Sequence, residues 1–260
     1  MRIGLIGCGH MGSAIVRGLL GSGLCGTDDL MASARSQAGR EKIVSSLGIA
    51  CGSNEETAAF ADVLILAVKP VSYPEVTAQI AGALRDGCIV ISLAPGISLE
   101  ALDGMLQRPV KLVRAMPNTP AMVSEGMTGL CPADTLTDKD RHTVLDIFSS
   151  FGRAEIVPER LMNVVTGVSG SSPAFIFILI EAMADAAVAD GMPRAQAYTF
   201  AAQAVLGSAR MVLESGEHPA VLKDQVCSPG GTTIEGVRVL EEKGLRSAVI
   251  EAVRASTAKA

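Results

Sequence analysis

The sequence is poor in the side chains that proteins use to hold metal ions. It has three histidines, His10, His142 and His218, and no H-E-x-x-H or comparable cluster. None of its six cysteines belongs to a C-x-x-C pair, and none has a histidine at ligand spacing. The sequence therefore predicts no metal site, and it predicts that the cysteines are reduced and buried as small hydrophobic residues.

Long runs of one kind of residue are also missing. The net charge is -5 without an extended Lys/Arg stretch, which argues against a nucleic-acid or membrane partner. The longest apolar stretch runs from Pro173 to Ile180 and is cut by Glu181, so it is too short to cross a bilayer. The N-terminus lacks the residue order of a signal peptide. With 48% hydrophobic and 19% charged residues, the chain is expected to be globular, soluble and cytoplasmic.

Glycine, by contrast, is abundant, and a cluster of glycines follows the first apolar run. Residues 3–6 predict a buried strand, and the spacing of apolar residues from Ala14 to Leu19 predicts a helix. Between them lies a G-x-G-x-x-G turn made of Gly7, Cys8, Gly9, His10, Met11 and Gly12. In a strand-turn-helix unit such glycines bring backbone N–H groups and the positive helix end to a pyrophosphate. Dinucleotide binding is favoured here over a glycine turn with only a structural role.

The end of the second predicted strand, residues 29–35, bears on the choice of dinucleotide. An NAD-specific fold places an acidic residue there to bind the ribose 2′-hydroxyl. Here Asp28 and Asp29 lie at the opposite end, and the strand ends in Ser33, Ala34, Arg35 and Ser36. An arginine flanked by hydroxyls suits a 2′-phosphate. The pattern favours NADP over NAD, the alternative being an ordinary solvated loop arginine.

Strands and helices alternate through the first 157 residues. The runs at 62–68 and 88–93 are continuously apolar, as expected of strands buried on both faces of a parallel sheet. They lead into loops that hold Lys69 and Ala94, at the edge where ligands bind. Lys69 is either a base or phosphate contact, or a lysine without a side-chain role. The other predicted elements are strands at 111–116, 127–131 and 153–157 and helices at 37–47, 76–84 and 139–151.

The second half of the sequence contains no convincing strand. We predict an α/β Rossmann-like domain over 1–157 with a mostly parallel, doubly wound sheet, and an all-α domain over 158–260. Small residues along the helix predicted from Arg194 to Glu214 permit close helix contact, and the apolar surface of this half predicts burial against another subunit. Glu181 and Asp185 are either an acid-base pair or, more simply, a solvated or salt-bridged face. The predicted helices are 159–168, 173–190, 194–214, 218–226 and one from 234.

A second glycine turn lies near the end of the chain, in Ser228-Pro-Gly-Gly-Thr-Thr233. Two glycines followed by two threonines at a helix start form an anion nest with free N–H groups and hydroxyls. Such a nest suits a small carboxylate. The alternative is a plain capped turn, and on physical grounds the two interpretations are evenly balanced.

Together these motifs resemble the pyrroline-5-carboxylate reductase family over essentially the whole chain. The resemblance is carried by Gly7 to Gly12, Ala67-Val-Lys-Pro70, Arg114-Ala-Met-Pro-Asn-Thr-Pro120, Gly167-Val-Ser-Gly-Ser-Ser-Pro173 and Asp224-Gln-Val-Cys-Ser-Pro-Gly-Gly-Thr-Thr-Ile-Glu235. It implies reduction of 1-pyrroline-5-carboxylate to L-proline with NADPH. It also implies a Rossmann-like domain and a helical domain intertwined as a homodimer, often assembled further into a pentamer of dimers, with the active site between one subunit's cofactor domain and its partner's helical domain.

The resemblance also implies roles for individual residues. Gly7 to Gly12 hold the pyrophosphate, and Asn54 faces the adenosine. Thr233 is the catalytic candidate, with its hydroxyl near the ring nitrogen of the substrate. Residues on the 2′-phosphate side are Ser33, Arg35 and Ser36; those lining the nicotinamide and its ribose are Ala67, Val68, Lys69, Pro70, Ala94 and Asn118; those binding the substrate are Ser228, Gly230, Gly231, Thr232 and Thr233.

Two other functions remain open from the residues. A β-hydroxyacid dehydrogenase shares the two-domain plan but needs a lysine on the long helix after the crossover, and Pro173 to Asp190 contains none. A non-catalytic dinucleotide-binding sensor is the second alternative. Consumption of NADPH with pyrroline-5-carboxylate would distinguish them.

Overall fold

The computed structural model describes all 260 residues and contains a single eight-stranded sheet. Seven of the strands are short, at three to six residues. The strands are β1 (Ile3–Ile6), β2 (Leu30–Ser33), β3 (Ala50–Gly52), β4 (Val63–Leu66), β5 (Ile89–Ser92), β6 (Lys111–Met116), β7 (Gly126–Pro132) and β8 (Gly152–Ile156).

Helices connect the strands and make up most of the chain after β8. Short 3-10 turns at Pro70–Ser72 and Thr119–Val123 and a π-helical turn at Thr166–Gly170 add to them. The helices are α1 (His10–Gly21), α2 (Gln37–Leu47), α3 (Asn54–Phe60), α4 (Tyr73–Ile80), α5 (Leu99–Leu106), α6 (Asp138–Ser149), α7 (Met162–Val165), α8 (Ser172–Ala189), α9 (Arg194–Ser215), α10 (Pro219–Val226), α11 (Thr232–Glu242) and α12 (Leu245–Lys259).

The strand order is β3-β2-β1-β4-β5-β6-β7-β8. All neighbouring pairs are parallel except β6 and β7, which are antiparallel. The order reverses at β1, which pairs with β2 on one side and β4 on the other. Such a reversal opens a crevice at the carboxyl ends of the strands, where open α/β sheets bind ligands. The predicted α/β Rossmann-like domain with a mostly parallel sheet is confirmed.

Both faces of the sheet are buried, which explains the continuous apolar runs. Along β4, Val63 and Ile65 enter one hydrophobic cluster while Leu64 and Leu66 enter the other. The first cluster includes residues of α1, α2 and α6, and the second includes residues of α3, α4 and α5. Because successive side chains point to opposite faces, a strand covered on both sides needs apolar residues at every position.

Several elements were absent from the sequence-based prediction. These are β3, α3 and α5, which are only three, seven and eight residues long. The strands predicted at 29–35, 62–68 and 88–93 are shorter in the structure, because their outer residues lie in loops. The last predicted helix is two helices, α11 and α12, separated at Lys243 and Gly244, where Gly244 has φ +74°. Periodicity is weak over so few residues, and flanking loops can share a strand's composition.

The chain forms two compact units, residues 1–171 with 256–260, and residues 172–255. This division falls after the predicted boundary at residue 158, because α7 packs on the sheet. Met162 joins a cluster with Met116 and Cys131, and a Cβ on Gly129 would lie 2.8 Å from Val165. The domain limits 1–157 and 158–260 stay a prediction.

The second unit has almost no hydrophobic core of its own. Within residues 172–255 only Ala184, Ala197 and Ala201 are buried hydrophobic residues, whereas Phe177 and Ile178 are 63% and 65% exposed. The helical stretch Glu159–Ala189 has a mean hydropathy of 1.7 and is long and apolar enough to cross a membrane by length and composition. The sequence analysis expected the longest apolar stretch, Pro173 to Ile180, to be too short to cross a bilayer. That expectation was wrong by length and composition, because the helical stretch extends beyond this run on both sides. A soluble helix that packs in an oligomer has the same composition.

Candidate active site

In the first glycine turn, the fold requires glycine at two positions, Gly7 and Gly12. Gly7 has φ +91°, and a Cβ there would lie 2.8 Å from the carbonyl oxygen of Ala67. A Cβ on Gly12 would lie 2.6 Å from the carbonyl oxygen of Gly7. A Cβ on Gly9, in contrast, would meet nothing within 4 Å. The protein therefore has no packing need for glycine at position 9, and the open space above it is available to a ligand.

The helix that follows the turn presents free backbone donors. Gly9 is the N-cap of α1 and supplies no side-chain hydrogen bond, and the first turn contains no acidic residue. Burial raises the pKa of the Cys8 thiol, which lies 3.7 Å from Ser13 Oγ, so Cys8 is neutral at physiological pH. His10 is exposed and Met11 is half-buried. The turn thus offers N–H groups and a positive helix end, the arrangement that binds phosphate.

A chain of hydrogen bonds orients the amide of Asn54. Ser33 Oγ donates to Asn54 Oδ1 at 2.6 Å, and Asn54 Nδ2 donates to Gln79 Oε1 at 2.6 Å. Ser33 is buried at the end of β2, while Asn54 begins α3. Ser33 therefore holds Asn54 in place, and a direct contact of Ser33 with a ligand stays a prediction.

Arg35 and Ser36 lie just beyond β2 and have different local roles. Arg35 is exposed, and its Nη2 donates to Ser72 Oγ at 2.8 Å. Ser36 is the N-cap of α2, where its Oγ accepts from the Gly39 N–H at 3.1 Å. A depression beside them is lined by Ala34, Arg35, Arg40, Ser53, Asn54, Glu55, Glu75, Val76 and Gln79.

The loops after β4 and β5 rest on a buried tyrosine. The hydroxyl of Tyr73 donates to the carbonyl oxygen of Leu66 at 2.9 Å and lies 2.9 Å from Ser92 Oγ, which accepts from the Ala94 N–H. Burial raises the pKa of Tyr73, so the phenol stays neutral. Tyr73 therefore fixes the loop of Ala94 and, beside it, the segment after Leu66. Sequence reasoning missed Tyr73, since a tyrosine at a helix start has no distinctive pattern.

That segment contains the other predicted nicotinamide neighbours. The Ala67 N–H donates to the carbonyl oxygen of Ile6 at 2.8 Å, so the segment starts directly beside the first glycine turn. Val68 is half-buried, whereas Lys69 and Pro70 are exposed. Lys69 makes no side-chain cap to the 3-10 turn it precedes. The structure thus brings residues 67–70 and Gly7 to the same edge of the sheet.

Asn118 uses both ends of its side chain within the protein. Its Oδ1 accepts from the Met127 N–H at 2.8 Å, and its Nδ2 donates to the carbonyl oxygen of Ser169 at 3.1 Å. The residue is 9% exposed. Asn118 therefore ties the loop after β6 to β7 and to the π-helical turn. Its place beside the nicotinamide stays a prediction.

An ion pair between a buried arginine and a partly exposed glutamate was missed by sequence reasoning. Arg114 is 7% exposed, and its Nη1 donates to Glu159 Oε1 at 2.8 Å. The same oxygen accepts from the Leu99 N–H at 2.8 Å. Burial acts to raise the pKa of Glu159, but the hydrogen bonds from Leu99 and Arg114 and the Arg114 charge outweigh it, so that pKa lies below its usual value. No sequence spacing links residues so far apart in the chain.

The second glycine turn, in the helical unit, also leaves a helix start uncapped. Gly230 has φ +67°, and the Gly231 N–H donates to the carbonyl oxygen of Ser228 at 3.0 Å. Gly231 is the N-cap of α11 without a side-chain hydrogen bond. Thr232 is exposed and Thr233 half-buried. The first N–H groups of α11 and the Thr233 hydroxyl are therefore free to bind an anion.

The two acidic residues of α8, Glu181 and Asp185, form a solvated and salt-bridged surface. Asp185 forms an ion pair with Arg194, and Glu181 is exposed.

The six cysteines are all free; Cys25, Cys88 and Cys131 are buried, and the other three are half-buried. His218 caps α10, where its Nδ1 accepts from the Ala220 N–H.

Family models match most of the chain. Residues 2–96 match the model described as NADP oxidoreductase coenzyme F420-dependent, and residues 159–260 match the one described as pyrroline-5-carboxylate reductase dimerisation. The first match lies on the strands and turns of the candidate nucleotide site. The second contains the helical unit with its exposed apolar surface.

Two relatives that match nearly the whole chain are both named pyrroline-5-carboxylate reductase. The pyrroline-5-carboxylate reductase of Escherichia coli K12 is 53% identical over 253 residues, which cover 97% of this chain and 94% of that protein. The Methanosarcina acetivorans protein of the same name is 45% identical over 97% of this chain and 94% of its own length.

Solved structures agree in fold. The pyrroline-5-carboxylate reductase of Coxiella burnetii has a TM-score of 0.92 at 34% identity, with 99% of this chain and 96% of that chain covered. The Plasmodium falciparum pyrroline carboxylate reductase with NADP bound has a TM-score of 0.90 at 32% identity, covering 100% and 96%.

Proposed function

The chain belongs to the pyrroline-5-carboxylate reductase family, and from this premise we propose that it reduces 1-pyrroline-5-carboxylate to L-proline with NADPH in preference to NADH. This reaction is the last step of proline biosynthesis. The observation that carries the proposal is a pair of uncapped helix starts, each preceded by glycines. One, before α1, suits a pyrophosphate, and the other, before α11, suits a carboxylate.

The residues at the first turn fit a dinucleotide. The open space over Gly9 and the free donors of α1 suit the pyrophosphate, with Gly7, Cys8, His10, Met11 and Gly12 forming the rest of the turn. Ser36 and Arg35 lie at the 2′-phosphate side, where Ser33 orients Asn54 toward the adenosine. The nicotinamide and its ribose are assigned to Ala67, Val68, Lys69, Pro70, Ala94 and Asn118.

The substrate needs positioning more than acid catalysis. A protonated cyclic imine is already electrophilic, so its carbon accepts a hydride once the two are correctly placed. NADPH, when bound, supplies that hydride. The free N–H groups of Thr232 and Thr233 at the start of α11 hold the substrate carboxylate, while Ser228, Gly230 and Gly231 shape the loop. The Thr233 hydroxyl orients the ring nitrogen.

An assay with both nucleotides tests the reaction and the cofactor preference. Purified protein, mixed with 1-pyrroline-5-carboxylate, should oxidise NADPH with a higher kcat/KM than NADH and yield L-proline. Arg35 offers a charge to the 2′-phosphate and no acidic residue lies at the end of β2 to favour NADH. Equal kcat/KM values for the two nucleotides would refute the preference, and no proline would refute the activity.

Thr233 is the residue on which the substrate part of the proposal depends. Thr233→Ala removes the hydroxyl and should lower kcat by about tenfold or more, as loss of one positioned donor does. The affinity for NADP should stay within about twofold, since Thr233 is assigned to the substrate. Thr233→Ser keeps the hydroxyl and is the matched control. Turnover of Thr233→Ala equal to that of the control would remove Thr233 from the mechanism.

We further propose that the protein is a cytoplasmic homodimer, or a pentamer of dimers, without nucleic-acid or membrane partners. The exposed apolar residues of α8 and α9 and the match to the dimerisation family support the dimer. In such a dimer the loop at Ser228–Thr233 completes the partner's active site. Light scattering distinguishes the two assemblies, since each chain has a mass of 26.8 kDa.

A further inference from the structure

A second arginine lies beside the residues assigned to the 2′-phosphate and has no role in the proposal above. Arg40, in the first turns of α2, is half-buried, and its Nε donates to the carbonyl oxygen of Ala34 at 3.2 Å. With Arg35 and Asn54 it lines the depression of about 260 Å³ at the carboxyl ends of β2 and β3. The guanidinium of Arg40 is thus held by the backbone next to the end of β2.

Most hydrogen-bond donors of this guanidinium are free. An arginine carries five N–H donors in a rigid plane, and Arg40 uses only the one on Nε. Its Nη1 and Nη2 groups have no partner in the protein. Because one edge is fixed by Ala34, the remaining fork is already ordered for a planar or tetrahedral oxyanion.

The two arginines that line this depression are not engaged in ion pairs. Neither Arg35 nor Arg40 forms an ion pair, and although Glu55 and Glu75 line the same depression, neither is within 4.0 Å of the guanidinium groups. The first turn of α2 contains no acidic residue, so the positive helix end adds to the same field. A phosphate dianion in the depression would meet two guanidinium groups with free N–H donors.

We infer that Arg40 binds the ribose 2′-phosphate of NADPH together with Arg35 and is a specificity-determining residue for NADPH over NADH. The inference rests on the proposed preference for NADPH. In this arrangement both arginines contact the same phosphate. Arg35 is held by its hydrogen bond to Ser72 Oγ, and Arg40 by its hydrogen bond to the carbonyl oxygen of Ala34. Sequence reasoning stopped at Ser36, although a second arginine at the start of a helix without acidic residues was visible.

Calorimetric titration of the whole protein with two nucleotide fragments tests the inference. Adenosine 2′,5′-bisphosphate carries the phosphate in question, and 5′-AMP lacks it. Arg40→Ala should weaken binding of the bisphosphate by about tenfold or more, since a charge-assisted hydrogen bond contributes that much. Binding of 5′-AMP should change by less than about twofold, which also shows that the variant is folded. Lys139→Ala is the matched control, because Lys139 is an exposed cation of α6 outside the residues assigned to the nucleotide.

The possible results distinguish an error in the role of Arg40 from an error in the NADPH preference. If the wild-type protein prefers the bisphosphate and Arg40→Ala retains that preference, the role of Arg40 is wrong while the NADPH preference stands. If the wild-type protein binds both fragments equally, both are wrong. An equal loss of bisphosphate affinity in Lys139→Ala would also overturn the inference, since the effect would then be that of net charge.

Discussion

At the scale of single residues, the first glycine turn contains one glycine that a ligand needs and one that the fold needs. A methyl group on Gly9 enters space that the protein leaves open, whereas one on Gly12 lies 2.6 Å from a carbonyl oxygen. Gly9→Ala should therefore lower the free energy of unfolding by no more than about 1 kcal/mol, the usual cost of alanine at a helix N-cap, and weaken NADP binding by about tenfold or more. Gly12→Ala should destabilise the protein by about 1–3 kcal/mol.

Urea denaturation and titration with NADP measure the two effects separately. Gly12→Ala serves as the reference for a glycine with a structural role. If Gly9→Ala bound NADP as tightly as the wild-type protein, the turn would not hold the pyrophosphate. A large loss of stability in Gly9→Ala would show that the open space does not exist in solution.

At the scale of elements, α1 is held against the start of β8 through a glycine on its inner face. A Cβ on Gly18 would overlap Phe151, which is fully buried, whereas a Cβ on Gly21 of the same helix meets nothing. Gly18→Ala should therefore cost about 1–3 kcal/mol of unfolding free energy through overpacking. Gly21→Ala should be neutral or stabilising by up to about 1 kcal/mol, because alanine favours the helix. Thermal or urea unfolding of both variants measures the difference, and equal stabilities would mean that α1 does not pack as described.

Another link between elements is the contact of Glu159 with Arg114 and Leu99, which should appear in the pH dependence of stability. The pKa of Glu159 is lowered on folding, so its contribution is present above the ordinary value of 4.5 and is lost as the pH falls through the lower folded value. The stability difference between wild type and Glu159→Gln should thus be largest above about pH 5 and shrink toward acid.

Urea unfolding across this pH range makes the measurement. Asp86→Asn is the matched control, because Asp86 is fully exposed and pairs with Arg108 at the surface. Asp86→Asn should change the free energy of unfolding little, since an exposed ion pair contributes little to stability. A difference for Glu159→Gln that grows toward low pH would contradict the sign derived from the hydrogen bonds.

At the scale of the whole molecule, the helical unit has almost no hydrophobic core of its own, and the proposed dimer would cover its exposed apolar residues. Phe177 on α8 is 63% exposed in the single chain. A charged side chain at this position would be costly to bury in a subunit interface and should weaken association. Phe177→Glu should therefore shift the mass measured by light scattering toward 26.8 kDa and lower turnover, since the loop at Ser228–Thr233 would no longer meet a partner. Val44→Glu, an equally drastic change at an exposed residue of α2, should leave the mass unaltered. An unchanged mass for Phe177→Glu would place α8 outside the interface.

The candidate site shows how far residue patterns alone can lead. Both glycine turns, the polar end of β2 and the loop at Asn118 were found from sequence, because each is a local motif. Tyr73 and Glu159 were missed, since their contacts are with residues that only the fold brings near. Arg40 was missed although its place at the start of a predicted helix was visible in the sequence. The Ser53 and Glu56 capping box could have revealed α3, as its spacing is a known helix-start signal.

By itself, the sequence determined the alternation of strands and helices, the two glycine turns and the apolar character of the helical half, because these depend on local spacing and composition. Only the tertiary structure decided that Gly9 faces open space while Gly12 faces a carbonyl oxygen, that the Asn118 amide donates to the carbonyl oxygen of Ser169, and that Arg40 lines the same depression as Arg35 without forming an ion pair. The physical reason is that steric contact, hydrogen-bond satisfaction and charge balance are sums over neighbours in space, and neighbours in space are set by the fold rather than by sequence distance.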